Sequence, residues 1–240
     1  MSDGSKTRLF IDAPMGAGQS VNLDAKQAHY LFNVMRLDKG AKITVFNGQD
    51  GAWLAELVLG NKRGAVATCL DQSAPQKDPP DLWLLFAPIK KTRTDFIVEK
   101  ATELGAARIC PVQTEFTNSE RVRVDRLQAH AIEAAEQCGG TFVPEVAELA
   151  KLPRVLDGWD PSRRILFCDE TQAGAQLPLP TDKGPWAILI GPEGGFSPAE
   201  LSRLRGLDYV HTISLGPRVL RADTAAVAAL TLWQSELGDW

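Results

Sequence analysis

Three segments in the second half of this chain combine residue types that can hold a ligand or stabilise charge. The first is Gly191-Pro192-Glu193-Gly194-Gly195-Phe196-Ser197-Pro198, directly after the apolar run Trp186–Ile190. Glycines let a backbone turn sharply and approach a ligand without side-chain interference. Ser197, Pro198 and Glu200 then have the spacing of a helix start, with an N-cap hydroxyl, a proline at N1 and a capping box. A helix start offers backbone N–H groups suited to a carboxylate or phosphate. A tight strand-to-helix turn would explain two of the glycines but not the acid, so Glu193 marks the loop as functional. The second segment, Leu215-Gly216-Pro217-Arg218-Val219-Leu220-Arg221-Ala222-Asp223-Thr224-Ala225, sets two arginines beside an aspartate and a threonine. Arginine ordinarily serves as a solvated or salt-bridged surface group. Two of them just past an apolar strand also suit recognition of an anion, Arg221 above all because it heads a helix. The third is Phe167-Cys168-Asp169-Glu170-Thr171, where Asp169 or Glu170 could accept hydrogen bonds from a ribose or an amino group, or be an exposed loop acid.

These loops need strands to present them, and the hydrophobic pattern supplies the strands. Leu82–Ala87, Ala107–Val112, Arg164–Cys168, Trp186–Ile190 and His211–Leu215 are short apolar runs. Helical stretches at Thr94–Leu104, Asp125–Cys138 and Ala225–Leu237 lie between or after them. Strand–helix alternation of this kind predicts an α/β fold, a mostly parallel sheet covered on both faces. Such sheets bind ligands beyond the carboxyl ends of their strands, where the three segments lie. Residues 1–74 read differently. Ala41–Phe46, Ala52–Leu59 and Ala65–Leu70 are β-type runs separated by Asn47-Gly48, Asp50-Gly51 and Gly60-Asn61-Lys62-Arg63-Gly64, which are hairpin signals. They predict a small β-barrel, with one helix near Lys26–Met35 capped by Asp24. The proline-rich stretch Ser73–Pro80 reads as a linker to a second domain at 81–240.

Composition narrows the function classes. The net charge of −4, with neither half basic, argues against gripping nucleic acid by bulk electrostatics. Any such partner is held by local patches, of which Lys90-Lys91-Thr92-Arg93 is the densest and Arg8 and Arg36 are isolated examples. The 4 cysteines and 3 histidines form no CxxC or other ligand-like pair, so no metal site is expected. No apolar run approaches the ~20 residues of a membrane span. The opening MSDGSKTRLF lacks the apolar stretch of a secretory signal. A cytoplasmic protein is the expectation.

Beyond this reading, the chain resembles a known family in both halves and in order. I-G-P-E-G-G-F-S at Ile190–Ser197, L-G-P-R-V-L-R-A-D-T-A at Leu215–Ala225 and E-K-A-T-E-L-G at Glu99–Gly105 carry the likeness. So do E-A-A-E-Q-C-G at Glu133–Gly139 and H-Y-L-F-N-V-M-R-L at His29–Leu37. These runs are similar to those of the bacterial 16S ribosomal RNA uracil-N3 methyltransferases. The resemblance implies a PUA-like N-terminal β-barrel for RNA and a C-terminal SPOUT domain, in which the chain end threads a trefoil knot. It also implies a homodimer, a substrate within the small ribosomal subunit, and S-adenosyl-L-methionine held among the knotted loops. Matched residue by residue, the cofactor cradle comprises Phe167, Asp169, Glu170, Ile190, Gly191, Pro192, Glu193, Gly194, Gly195, Leu215, Gly216, Pro217, Val219 and Leu220. RNA contacts fall to Arg8, His29, Arg36, Lys90, Lys91, Arg93, Arg121 and Arg218. The family pattern is broken at Gly140, where an arginine usually follows the E-Q-C-G run, and near Glu115, where a basic residue is usual. Arg121 and Arg123 are the nearby cations that would compensate.

The chemistry of such a reaction follows from the base. Uracil N3 becomes nucleophilic only when its proton leaves, and the charge then spreads onto O2 and O4. A planar, permanently charged guanidinium suits that anion, and Arg221 is the candidate. Glu193, Asp223 and solvent all remain open as the proton acceptor. The sulfonium is already an activated donor, so no metal is required. Two other readings stand beside this one: the same type of enzyme acting on another RNA, and a non-catalytic ribosome-assembly factor. Fold does not choose among them.

Overall fold

The computed structural model describes residues 7–61, 64–119, 121–175 and 177–240. The chain divides into two compact units, Met1–Asp78 with Ala135–Val143, and Pro79–Ala134 with Pro144–Trp240. Lys62 and Arg63, read from the sequence as part of a turn, and residues 1–6 lie outside the described residues. Among the described residues no helix is long and apolar enough to cross a membrane.

In the first unit, β1 (Arg8–Phe10), β2 (Ser20–Leu23), α1 (Ala25–His29), β3 (Lys42–Phe46), β4 (Ala52–Asn61) and β5 (Gly64–Ala74) follow in order. The strands form one sheet in the order β1-β3-β4-β5-β2, antiparallel except for the β1–β3 pair. Period-two patterning sets the faces: along β5, Ala65, Ala67 and Cys69 are buried while Val66, Thr68 and Leu70 alternate with them. Ile43, Val45, Leu57, Leu9 and Val21 complete the core, onto which Ala28 and Leu31 pack. β1 and β2 are too short to register as hydrophobic runs, and sequence reading misses both.

The expected helix at Lys26–Met35 begins at its expected cap. Asp24 accepts from Gln27 N at 2.8 Å, and the Gln27 side chain accepts from Asp24 N at 3.0 Å. Its second half, Tyr30–Val34, widens into a π-turn, and Arg36 follows with φ of 55°. Sequence reading places Ala135–Val143 in the second domain. In the structure it packs with the first unit instead: Ala135 joins Phe46 and Ala52 in a small apolar cluster, and Glu136 accepts from Phe10 N at 2.9 Å.

The Asn47–Gly51 turn carries a titratable fastening. Asp50 Oδ2 accepts from Met15 N at 2.9 Å and from Asn47 Nδ2 at 2.6 Å. These bonds, the backbone one foremost, lower the carboxyl pKa from its ordinary value. A lowered folded-state pKa stabilises the fold above the unfolded-state value, and the gain is lost as pH falls through the folded one. Asp50→Asn is therefore expected to lower the melting temperature at neutral pH. The deficit relative to wild type should shrink as pH drops below about 3.9; a deficit constant from pH 7 to pH 3, followed by thermal melts, would contradict this.

The second unit continues with β6 (Leu82–Phe86), α2 (Lys91–Glu103), β7 (Arg108–Gln113) and α3 (Val124–Cys138). After the two-residue strands β8 (Glu145–Val146) and β9 (Ala150–Lys151) come α4 (Leu152–Asp157), β10 (Arg164–Cys168), β11 (Trp186–Ile190), α5 (Pro198–Arg205), β12 (Val210–Ile213) and α6 (Ala222–Leu237). All pairs are parallel, in the order β12-β10-β11-β6-β7-β8, with β9 beside the end of β7. This is the predicted α/β sheet. β11 is buried at every position, as a central strand covered on both faces requires. One face, through Ile165, Phe167, Ala187, Leu189 and Leu85, packs on Leu152, Leu156, Phe196 and Leu204. α6 lies against β11 on the sheet and against α2. Gly105, read as the C′ residue of α2, has φ of 75°. A Cβ there would stand 2.7 Å from Gln234 Nε2, and that nitrogen donates to Leu104 O at 2.7 Å. The glycine thus ends one helix and admits the side chain that ties down the end of another.

Candidate active site

The carboxyl ends of β10, β11 and β12 meet at a cavity of about 260 Å³, where parallel sheets bind ligands. Its size lies near the lower end of the ~300–1,000 Å³ typical of small-molecule sites. The strand ends and loops bring together most of the expected cradle: Asp169, Glu170, Ile190, Gly191, Pro192, Glu193, Gly195, Leu215, Gly216, Val219 and Leu220 all line it, together with Arg218 and Arg221. Three expected residues do not. Phe167 lies beneath, buried edge-on against Phe196 with ring centroids 5.0 Å apart. Gly194 backs onto Phe116, where a Cβ would come within 3.1 Å of the Phe116 Cβ. Pro217 stands just outside, facing Gly174.

The loop after β10 is built around Asp169. This carboxylate is buried, and both its oxygens have partners. Oδ1 accepts from Thr171 N at 3.0 Å and Thr171 Oγ1 at 2.7 Å. Oδ2 accepts from Arg205 Nε at 3.0 Å and from the same guanidinium's terminal nitrogen. A buried carboxylate needs this compensation. Asp169 lines the cavity with its carboxylate anchored by partners within the protein. Glu170, the alternative, is half-exposed and accepts from Phe196 N at 3.3 Å through Oε1.

The glycine loop fits around these groups. Gly195 has φ of 72°, and a Cβ on it would overlap Glu170 Oε1. A Cβ on Gly191 would lie 2.5 Å from the Phe196 ring. A side chain at Gly191 would have to displace that ring, and one at Gly195 would have to move Glu170 and adopt a strained backbone. The expectation that the start of α5 offers free N–H groups to an anion is corrected by the structure. Ser197 and Glu200 form the capping box, Glu200 accepting from Ser197 N at 2.9 Å and Ser197 from Glu200 N at 3.3 Å. The other Glu200 oxygen accepts from Glu115 N at 2.9 Å. The helix caps itself, and in doing so it gives Glu115 a structural partner.

Four residues that sequence reading passed over also line the cavity: Cys168, Ala173, Ala222 and Ala225. Ala222 and Ala225 were legible in principle, since i and i+3 on the first turn of α6 share a face. Burial pushes the Cys168 thiol well above its ordinary range, so it is an inert wall rather than a nucleophile.

The charges at the rim are unevenly matched. Arg93, from the first turn of α2, donates to Glu193 Oε1 and lies 3.7 Å from Asp223 Oδ2 through Nε. Asp223 Oδ1 accepts from Thr224 N at 3.0 Å. Arg93, expected as an RNA contact, is thus committed to two carboxylates of the site itself. Arg218 and Arg221 are exposed and have no side-chain partner among the described residues. Two loops are stitched together across the floor by Gly174 N donating to Gly216 O at 2.9 Å.

The other expected RNA contacts are distributed over both units. Lys90, Lys91 and Arg121 are exposed in the second. His29 and Arg36 are exposed in the first, with His29 Nδ1 2.6 Å from Asn33 Nδ2. Arg8 is half-buried: its guanidinium sits over the Phe46 ring at 5.1 Å and donates to Gly140 O at 2.7 Å. Desolvation lowers its pKa, and these contacts give it a packing role. Among the described residues no three His, Cys, Asp or Glu side chains are grouped to hold a metal ion.

Comparison with known proteins agrees in both units. The family described as an RNA methyltransferase domain matches residues 76–234, and the RNA methyltransferase PUA domain matches residues 23–69. The chain is 31% identical over 231 residues to ribosomal RNA small subunit methyltransferase E of Synechocystis, covering 93% of this chain and 75% of that protein. It is 27% identical to the protein of the same name from Rickettsia conorii, covering 93% of each. Among solved structures, ribosomal RNA small subunit methyltransferase E from Neisseria gonorrhoeae, bound to S-adenosyl methionine, superposes with a TM-score of 0.88. That pair is 28% identical, and the match covers 98% of this chain and 99% of the other.

Proposed function

We propose, because this chain belongs to the RNA methyltransferase family of ribosomal RNA small subunit methyltransferases E, that it transfers a methyl group from S-adenosyl-L-methionine to N3 of a uridine in 16S ribosomal RNA. The observation that carries the reading is the glycine-walled cavity with Arg221 unpaired at its rim, while Arg93 is neutralised by Glu193 and Asp223.

The residues present fit the cofactor. Gly191 and Gly195 line the cavity, and lacking Cβ atoms they let the loop close onto Phe196 and Glu170, leaving bare backbone along that wall. Ile190, Leu215, Val219 and Leu220 offer apolar surface for an aromatic ring, and Glu170 and Glu193 offset positive charge. Bound there, S-adenosylmethionine supplies an electrophilic methyl group. The protein's part is to make uracil N3 nucleophilic and to position it. Arg221 stabilises the charge that reaches O2 or O4 as the N3 proton leaves. Glu193 is the better-placed proton acceptor: its Oε2 has no partner among the described residues, whereas both Asp223 oxygens are engaged. Arg93 orients that carboxylate and fixes it against the head of α6.

The wider reading is a homodimer working in the cytoplasm on the assembled small subunit. Its first unit is an RNA-docking module, and its C-terminal loops are threaded as a trefoil knot. The 70% exposure of Val219 at the cavity rim supports a further contact at that rim. The deciding experiment supplies labelled S-adenosylmethionine with small subunits lacking the modification, beside protein-free 16S RNA, and identifies the product nucleoside. N3-methyluridine formed preferentially on subunits supports the reading. A different methylated base, or cofactor binding without transfer to either RNA, replaces it with another RNA substrate.

A further inference from the structure

A second cavity of the same unit, about 320 Å³, opens between the first turn of α2 and the segment leading into α3. Lys91, Arg121, Arg123 and Arg126 line it with Thr94 and Ser119, and among the described residues no acid is in its wall. In a chain of net charge −4 four cations around one hollow run against the composition. Two of the four are held in place from outside. Asp125 grips Arg123 at 2.7 and 3.3 Å, and Asp95 grips Arg126 at 2.6 Å. Lys91 and Arg121 have no side-chain partner among the described residues. The turn that presents Lys91 is fixed by Thr94, whose hydroxyl accepts from Ile89 N at 3.0 Å and donates to Ile89 O at 3.1 Å.

This hollow is joined to the glycine-walled cavity by both elements that form it. Two residues after Lys91 on the same helical turn, Arg93 reaches Glu193 of the glycine loop. Three residues before Ser119, Phe116 packs on Gly194 of that loop. One turn of α2 thus presents Lys91 to the hollow and Arg93 to Glu193 in the wall of the glycine-walled cavity. The wall has oriented guanidinium forks and no aromatic face. It suits a phosphodiester rather than a base, since forks match phosphate oxygens and bases want stacking surfaces.

We propose that this cavity binds a backbone phosphate of the same RNA strand whose target base enters the glycine-walled cavity, and so sets the register of the strand. The proposal rests on the RNA methyltransferase reading. Its test is the double variant Lys91→Gln, Arg121→Gln, chosen because neither side chain has a side-chain partner among the described residues; equal melting temperatures confirm that folding is intact. With small subunits as substrate, KM is expected to rise about tenfold with kcat within about twofold, and the salt dependence of log KM to fall by roughly 0.7 per phosphate contact removed. S-adenosylmethionine affinity should be unchanged. Unchanged KM and salt dependence would overturn the proposal, as would weakened cofactor binding, which would make the cavity part of the cofactor site. Millimolar inorganic phosphate separates the sources: stabilisation of wild type alone, without an RNA effect, means a small-anion site and also overturns it. If wild type transfers no methyl group at all, direct binding of a 16S RNA fragment still decides. Weaker binding by the double variant sustains the phosphate site after the methylation reading has failed, and equal binding removes both.

Discussion

Arg221→Ala is expected to lower kcat by about 10²–10³-fold, the usual consequence of removing one group that stabilises developing negative charge. The cation stands at the head of α6, exposed, lining the cavity and free of any acid among the described residues, whereas Arg93 nearby is tied to Glu193 and Asp223. Only an uncommitted guanidinium can respond when charge appears on the base. Arg221→Lys keeps the charge but loses the fork, and should fall between wild type and alanine. Because the alanine variant relies on the base ionising unaided, its rate should climb with pH more steeply than that of wild type. Single-turnover rates across pH, with cofactor affinity measured separately, check all three points. An alanine variant as fast as wild type would take Arg221 out of the chemistry, whereas equally slow alanine and lysine variants would mean that the fork and not the charge alone is required.

The second large effect is expected at Gly195. An L-residue in the left-handed region loses roughly 1–2 kcal/mol, and a methyl group there must also displace Glu170 from Phe196 N. Gly195→Ala should therefore weaken S-adenosylmethionine binding by about tenfold or more, since a shift of about 1.4 kcal/mol is already tenfold, and should lower the melting temperature. Gly216→Ala is the control. It shares a positive φ, 105°, but a Cβ there meets nothing within 4 Å, so it should cost stability with a smaller effect on affinity. Titration calorimetry on both variants distinguishes displacement of Glu170 from a strained backbone alone. Equal losses of affinity at the two positions would mean that the overlap with Glu170 is immaterial.

What the sequence discloses follows from the range of the interactions involved. β6, β10 and β11 are buried on both faces, so their apolar runs announce them, and the parallel sheet places the site at their ends. The caps of α1 and α5 are local, within three residues, and were readable. The partner of Asp169 is Arg205, 36 residues later, and that of Arg93 is Glu193, 100 residues later; no local pattern carries either pairing. For the same reason the sequence gives no sign that Arg205 holds the Asp169 carboxylate or that Arg93 pairs with Glu193 and Asp223. β8, β9 and α4 are too short to show a period. Ala135–Val143 joins the first unit through Phe46, Ala52 and Phe10, a contact that spans most of the chain and leaves no mark on the helix's own spacing.

The order of elements along the chain also governs when the protein can begin to work during its own synthesis. The cavity needs the loops after β10, β11 and β12 and the first turn of α6, which follows every strand of the sheet along the chain. A nascent chain still holding α6 in the ribosomal exit tunnel has a nearly complete sheet and an unfinished cavity. Chains released early, before Arg221 is translated, are left with most of the sheet and without the α6 wall of that cavity. Since non-local pairing is also the slow part of folding, cofactor capture waits on both the translation of α6 and the closing of these loops.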